Sequence, residues 1–189
     1  MIALARRVGV LALLGATFGT LFDYAHVVTG AIRYPGPPPF GVPWWVPLLY
    51  AGAALGIGLS TPIADALLGR QARFAETPAR LGAGFVGLCA VWFASGALPL
   101  GSGAVAVILA AASVGIWWGL DRTWQGLVEA AGTALAGCAV EVTLSRAGLF
   151  EHRHQDVLGL AWWLPWIYVA ASVGLGNVGR WLARGRGPV

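Results

Sequence analysis

Read along the chain, apolar residues run in six long stretches separated by short polar breaks, at about 8 to 30, 44 to 68, 80 to 98, 102 to 120, 124 to 148 and 160 to 182. Each is close to the roughly 20 apolar residues that a helix needs to cross a bilayer. Between Arg80 and Asp121 there is no Asp, Glu, His, Lys or Arg for 40 residues, the length of one membrane hairpin. The pattern predicts an all-α polytopic membrane protein of six transmembrane helices, one domain over 1–189. The longest connection, Ala31 to Pro43, holds Pro35, Pro37, Pro38, Pro39 and Pro43. So many prolines exclude helix and favour a stiff polyproline strap.

Composition agrees. Of 189 residues 58% are hydrophobic and 11% charged, with mean hydropathy +0.72, against roughly 25% charged in soluble domains. All 12 basic residues are Arg, and Gly (28) is abundant, a bias that points to a GC-rich bacterial genome. The arginines form no run, so the pI near 9.7 reflects orientation in a membrane and no nucleic-acid partner is expected. With six crossings, nine arginines (6, 7, 70, 73, 80, 122, 180, 184 and 186) fall on the side of the termini and three (33, 146 and 153) on the other. Arg-rich loops stay cytoplasmic, so both termini are expected there, in a bacterial inner membrane. Tryptophans mark the ends of the stretches: Trp44, Trp45, Trp117, Trp118, Trp124, Trp162, Trp163, Trp166 and Trp181, with Trp92 alone internal. Indoles favour the bilayer interface. The apolar run from Met1 continues to about Gly30 without a clear cleavage site, which suggests an uncleaved first helix. Cys89 and Cys138 sit in apolar segments without CxxC spacing and read as small core residues.

The second and sixth stretches open alike, Trp44-Trp45-Val46-Pro47 against Trp162-Trp163-Leu164-Pro165, an offset of 118. A proline in a first helical turn lacks only a donor that has no acceptor there. Small-residue spacings at Gly15 and Gly19, at Gly52 and Gly56, and at Ser172 and Gly176 permit close helix contact, within the bundle or between copies. Ionisable residues inside the stretches are more informative, because a central charge costs about 2.5 to 3.5 kcal/mol even on the lenient scale. They are Asp23, His26, Glu129 and Glu141. Asp23 and His26 share a helix face, and Glu141 lies at similar depth. Either they line a polar pocket for a ligand hydroxyl or a proton path, or they satisfy one another and snorkel to the interface. The loop Glu151-His152-Arg153-His154-Gln155-Asp156 holds an HxH with a nearby acid, which reads as a metal site or as mixed charges in a solvated turn. The HExxH, GxSxG and P-loop motifs are missing, so no catalytic residue, cofactor or metal is expected.

Four blocks of residues resemble the Insig family of small six-helix membrane proteins: Trp44-Trp45-Val46-Pro47 with Gly58-Leu59, Pro62 and Asp65; Arg80 with Phe85-Val86-Gly87; Ser113, Gly115, Trp117-Trp118, Asp121-Arg122 and Gly126; and Trp163-Leu164-Pro165 with Gly176-Asn177, Gly179-Arg180 and Leu182-Ala183. The resemblance implies a bundle that holds an oxysterol, without catalysis, and that docks onto the sterol-sensing helices of Scap and HMG-CoA reductase. It implies lipid-lining roles for Phe85 and Trp117, and a partner-engaging role for Asp121 beside Arg122. A glutamine of the family near the sterol has no counterpart around Ala104, and a bacterium is expected to lack Scap. The reading is therefore a bacterial homologue with a pocket for a sterol or a diacylglycerol-like lipid, lined by Phe85, Trp117, Asp23, His26 and Glu141, and with possible homo-oligomers. The alternative is a small proton-coupled transporter using Asp23, His26, Glu129 and Glu141.

Overall fold

The computed structural model describes residues 2–36 and 40–184. Pro37, Pro38 and Pro39, the centre of the expected polyproline strap, lie outside the described residues.

Six long helical segments form one bundle. The first joins α1 (Ile2–Leu14) to α2 (Thr20–Thr29) through a π-helical turn at Gly15–Gly19. It ends at Gly30, whose φ of 71° places it in the left-handed region while its N–H caps the carbonyls of His26 and Val27. The others are α3 (Val46–Leu67), α4 (Pro78–Ala97), α5 (Ser102–Leu120), α6 (Trp124–Arg146) and α7 (Leu164–Ala183). Starts follow the local chemistry. Pro47 and Pro165 occupy the first turns of α3 and α7, and the hydroxyls of Thr77 and Thr123 cap α4 and α6 by accepting from the N–H of Arg80 and Gly126.

Five segments are long and apolar enough to cross a membrane. The sixth, α7, is the most enclosed: it packs against α3, α4, α5 and α6 and buries Ala170, Ala171, Val173, Gly174, Gly176, Asn177 and Arg180. A helix walled by protein carries small and polar residues that a lipid-facing helix cannot, and so its hydropathy falls.

Glycines set the closest approaches. A Cβ on Gly15 would strike the Tyr50 carbonyl, one on Gly58 the Leu11 side chain, and one on Gly179 the Gly58 carbonyl. Gly58 thus ties α1 to the last turns of α7, and the start and end of the helical chain share one face. Gly52 and Gly56 behave differently, with open space where their side chains would be.

One element was not expected. Ile32–Arg33 (β1) pairs antiparallel with Glu151–His152 (β2), and Arg33 holds Glu151 at 2.7 Å. The ribbon clamps the α2–α3 and α6–α7 connections together on the face opposite the termini.

Candidate functional site

The open space beside Gly52 and Gly56 belongs to a cavity of about 880 Å³ bounded by α2, α3, α4, α6 and α7. Its walls are mostly apolar, with Leu14, Phe18, Ile57, Phe85, Val140 and Leu144 among them. Wall residues on the facing edges of α3 (Leu48, Gly52, Gly56) and α6 (Val128, Gly132, Val140) are exposed. The cavity therefore opens sideways, between α3 and α6, onto the surface that meets lipid.

Polar groups gather at the ribbon end. The Asp23 carboxylate is buried and accepts from the hydroxyls of Tyr34 at 2.6 Å and Tyr50 at 3.0 Å. Burial, reinforced by the Asp23 charge, pushes the Tyr34 pKa up, so the phenol stays a protonated donor. Glu141 accepts from the Tyr168 hydroxyl at 2.5 Å and pairs with His152 Nε2 at 2.9 Å. His26 Nε2 lies 2.7 Å from Ser95 Oγ, and the single Ser95 proton goes to the Trp92 carbonyl. His26 is accordingly the Nε2–H tautomer, donating to Ser95.

Three buried polar atoms on residues of the cavity wall have no partner: Trp92 Nε1, His152 Nδ1 and Glu129 Oε1. Each such atom costs about 1–3 kcal/mol while it stays unpaired. Of these the indole N–H is a donor and the Glu129 carboxylate oxygen an acceptor. Among the described residues no Arg lines the wall.

At the terminus-bearing end Glu129 also belongs to a buried ionic knot. Arg180, 3% exposed, donates to Asp65 at 2.7 and 2.9 Å, to Asp121 at 2.9 Å, to Glu129 at 2.8 Å and to Asn177 at 2.9 Å. Arg70 reaches Asp121 at 3.2 Å from the other side.

The expected residues thus divide. Phe85, Asp23, His26, Glu141 and Glu129 all reach the cavity. Trp117 does not: it lies at the end of α5 beside Arg73 and Trp118, with its indole N–H given to the Thr123 carbonyl at 3.1 Å. Asp121, for which the resemblance implies a partner-engaging role, is 1% exposed, because two guanidiniums and the Thr123 hydroxyl close over it. Arg122 alone stays exposed there. The HxH pair separates, His152 turning in to Glu141 while Asp156 holds Ser102 and the Trp162 N–H. Sequence reasoning missed Tyr34, Tyr50 and Tyr168 and read His152 only as part of a loop HxH; its one usable signal for the tyrosines was that Tyr50 and Tyr168 open the second and sixth stretches.

The model of the insulin-induced protein (INSIG) family matches residues 6–183. The chain belongs to the Insig family. Insulin-induced gene 1 protein of Danio rerio is 31% identical over 189 residues, covering 96% of this chain and 74% of its own length. Insulin-induced gene 2 protein of Gallus gallus is 33% identical over 148 residues, 76% of this chain and 64% of its own. Among solved structures, the mycobacterial Insig homolog MvINS from Mycobacterium vanbaalenii shares the fold, with TM-score 0.83 at 24% identity and 97% of each chain covered. A cross-linked trimer of MvINS superposes equally well, with TM-score 0.83. With five crossing-length apolar helices and this membership, the chain is an integral membrane protein of the Insig family.

Proposed function

We propose that this Insig-family protein binds a neutral, hydroxyl-bearing lipid, a sterol or a diacylglycerol-like glyceride, in the cavity, and that it acts as a sensor or regulator without catalysis. The observation that carries this reading is a mostly apolar cavity of about 880 Å³ that opens sideways between α3 and α6, with Asp23, His26 and Glu141 gathered at its ribbon end. A hydroxyl-bearing ligand can meet these few polar groups, and apolar tails or rings fill the rest. A wall with carboxylates and no Arg disfavours an anionic head group. The sideways opening lets a lipid pass directly from the bilayer.

Asp23, His26 and Glu141 position the polar end, and Phe85 packs against the apolar body. The carboxylates are held by tyrosines and His152, an arrangement suited to a fixed binding site more than to a carrier that exchanges protons. The turn at Asp121 and Arg122 serves a partner through Arg122, the exposed member. Both termini face the cytoplasm of a bacterial inner membrane, and the chain assembles as homo-oligomers, with three copies as in MvINS the first stoichiometry to test by crosslinking.

Mass spectrometry of lipid extracted from the purified protein tests the reading, with Gly56→Phe as the comparison. A side chain at Gly56 meets open cavity, so it fills the site without a backbone clash. Wild type should carry a stoichiometric neutral lipid that Gly56→Phe lacks. A wild type without bound lipid that also fails to take up labelled sterol or diacylglycerol overturns the reading. Proton-coupled flux in liposomes that is abolished by Asp23→Asn would replace it with the carrier.

A further inference from the structure

The terminus-bearing face has a second recess, lined by Arg73, Phe74, Trp117, Trp118 and Arg122. At this end Asp65, Glu76, Asp121 and Glu129 are all engaged by Arg70, Arg180 and Arg184. Among the described residues no carboxylate pairs with Arg73, Arg80 or Arg122.

The aromatic rings fix where these charges stand. The Arg122 guanidinium lies 3.9 Å from the Trp118 ring centroid, and that of Arg80 lies 4.2 Å from the Phe74 centroid. Arg80 also donates to the Gly119 carbonyl at 3.1 Å, which ties the start of α4 to the end of α5. Arg122 has φ 59°, a left-handed backbone that disfavours a side-chain-bearing residue, and its N–H bonds the Trp117 carbonyl at 2.9 Å. That turn carries the guanidinium over the indole face. Trp118 is exposed at a helix end, the depth at which indoles meet lipid head groups.

We propose that this recess binds the phosphodiester head group of an anionic phospholipid in the adjacent leaflet, held between Arg73 and Arg122 with its glycerol against Trp118. Guanidinium groups present paired N–H donors that match phosphate oxygens, and basic pockets at helix ends are the usual receptors for such head groups. The site is separate from the cavity and takes the opposite lipid class, so one molecule carries a neutral lipid inside and an anionic one at its rim.

The full chain in nanodiscs of equal phosphatidylglycerol and phosphatidylcholine, released for native mass spectrometry, tests this by counting phosphatidylglycerol retained. Each arginine contributes about fivefold near a charged surface. R73Q/R122Q should therefore lose most of the retained phosphatidylglycerol, while R146Q/R153Q, which removes two exposed arginines of the opposite face, retains it. Arg122→Gly relaxes the left-handed backbone, and so separates loss of binding from loss of folding. Equal losses in the two double variants, or no wild-type excess of phosphatidylglycerol over phosphatidylcholine, would overturn the proposal. Displacement of the retained lipid by millimolar glycerol phosphate would assign the recess to a soluble phosphate ester instead. The neutral cavity lipid differs in mass, so failure here leaves the cavity reading unaffected.

Discussion

Replacing Arg180 by Met probes the ionic knot directly. A guanidinium has five N–H donors, and here all are used: Nε to Asp65, Nη1 to Asp121 and Asn177, Nη2 to Asp65 and Glu129. Methionine keeps much of the side-chain length and removes every donor, which leaves three carboxylates facing one another with only Arg70 to offset them. Breaking a buried pair by removing one partner costs about 3–5 kcal/mol. For a chain of this length, 1 kcal/mol shifts the melting temperature by about 2–4 °C, so Arg180→Met should melt roughly 6–20 °C below wild type. Tryptophan fluorescence during a thermal ramp in detergent measures it. Arg180→Lys offers three donors in place of five and should fall between the two. Adding Glu129→Gln to Arg180→Met removes one stranded charge and should restore part of the loss. Should Arg180→Met melt within about 2 °C of wild type, the knot would contribute nothing and its five hydrogen bonds would be without thermodynamic weight.

Other outcomes follow from the same geometry. Gly179→Ala should destabilise, because the new Cβ meets the Gly58 carbonyl, whereas Gly52→Ala should be nearly neutral in open space; parallel melts compare them. Tyr168→Phe takes the hydroxyl from Glu141 and should cost about 1.5–3 kcal/mol, as a hydrogen bond to a charged group does, read from the same ramp. Asp156 gains a little from burial, which raises its pKa, but the hydrogen bonds from Ser102 and the Trp162 N–H, with His154 nearby, outweigh this and hold it below 3.8. Its stabilising contribution is therefore complete above the unfolded value and is lost as pH falls through the lower folded one. Ser102→Ala should move that titration back toward 3.8, visible in carboxyl NMR of the labelled protein.

The six apolar stretches could be read from the chain because bilayer thickness imposes a length on each crossing that no tertiary context alters. The first helix begins at Ile2 and not near residue 8, since the two early arginines extend a helix that apolar content alone starts later; the tryptophans and prolines that announce α3 and α7 do so through their own local geometry. Two kinds of feature stayed hidden. The β1–β2 ribbon joins Ile32 to His152 and Arg33 to Glu151 in two-residue strands far apart along the chain, too short for any alternation to show. The Arg180 knot draws Asp65, Asp121 and Glu129 from three different parts of the chain, and no spacing records that they converge. Depth alone identified Asp23, His26, Glu129 and Glu141 as interior, but it did not separate the ribbon end of the cavity from the knot. Gly52 and Gly56 show why a small-residue spacing is ambiguous: the same pattern that closes helices at Gly15 leaves a wall of the cavity bare at Gly56.

Photolabelling would place the lipid most directly. A diacylglycerol or sterol carrying a diazirine on its apolar part, activated in the membrane and mapped by peptide mass spectrometry, should mark Phe85, Leu144 and their neighbours on the cavity wall, and should be competed by unlabelled lipid. Labelling confined to outward residues such as Val107 and Leu135, and indifferent to competitor, would contradict a lipid held inside the bundle.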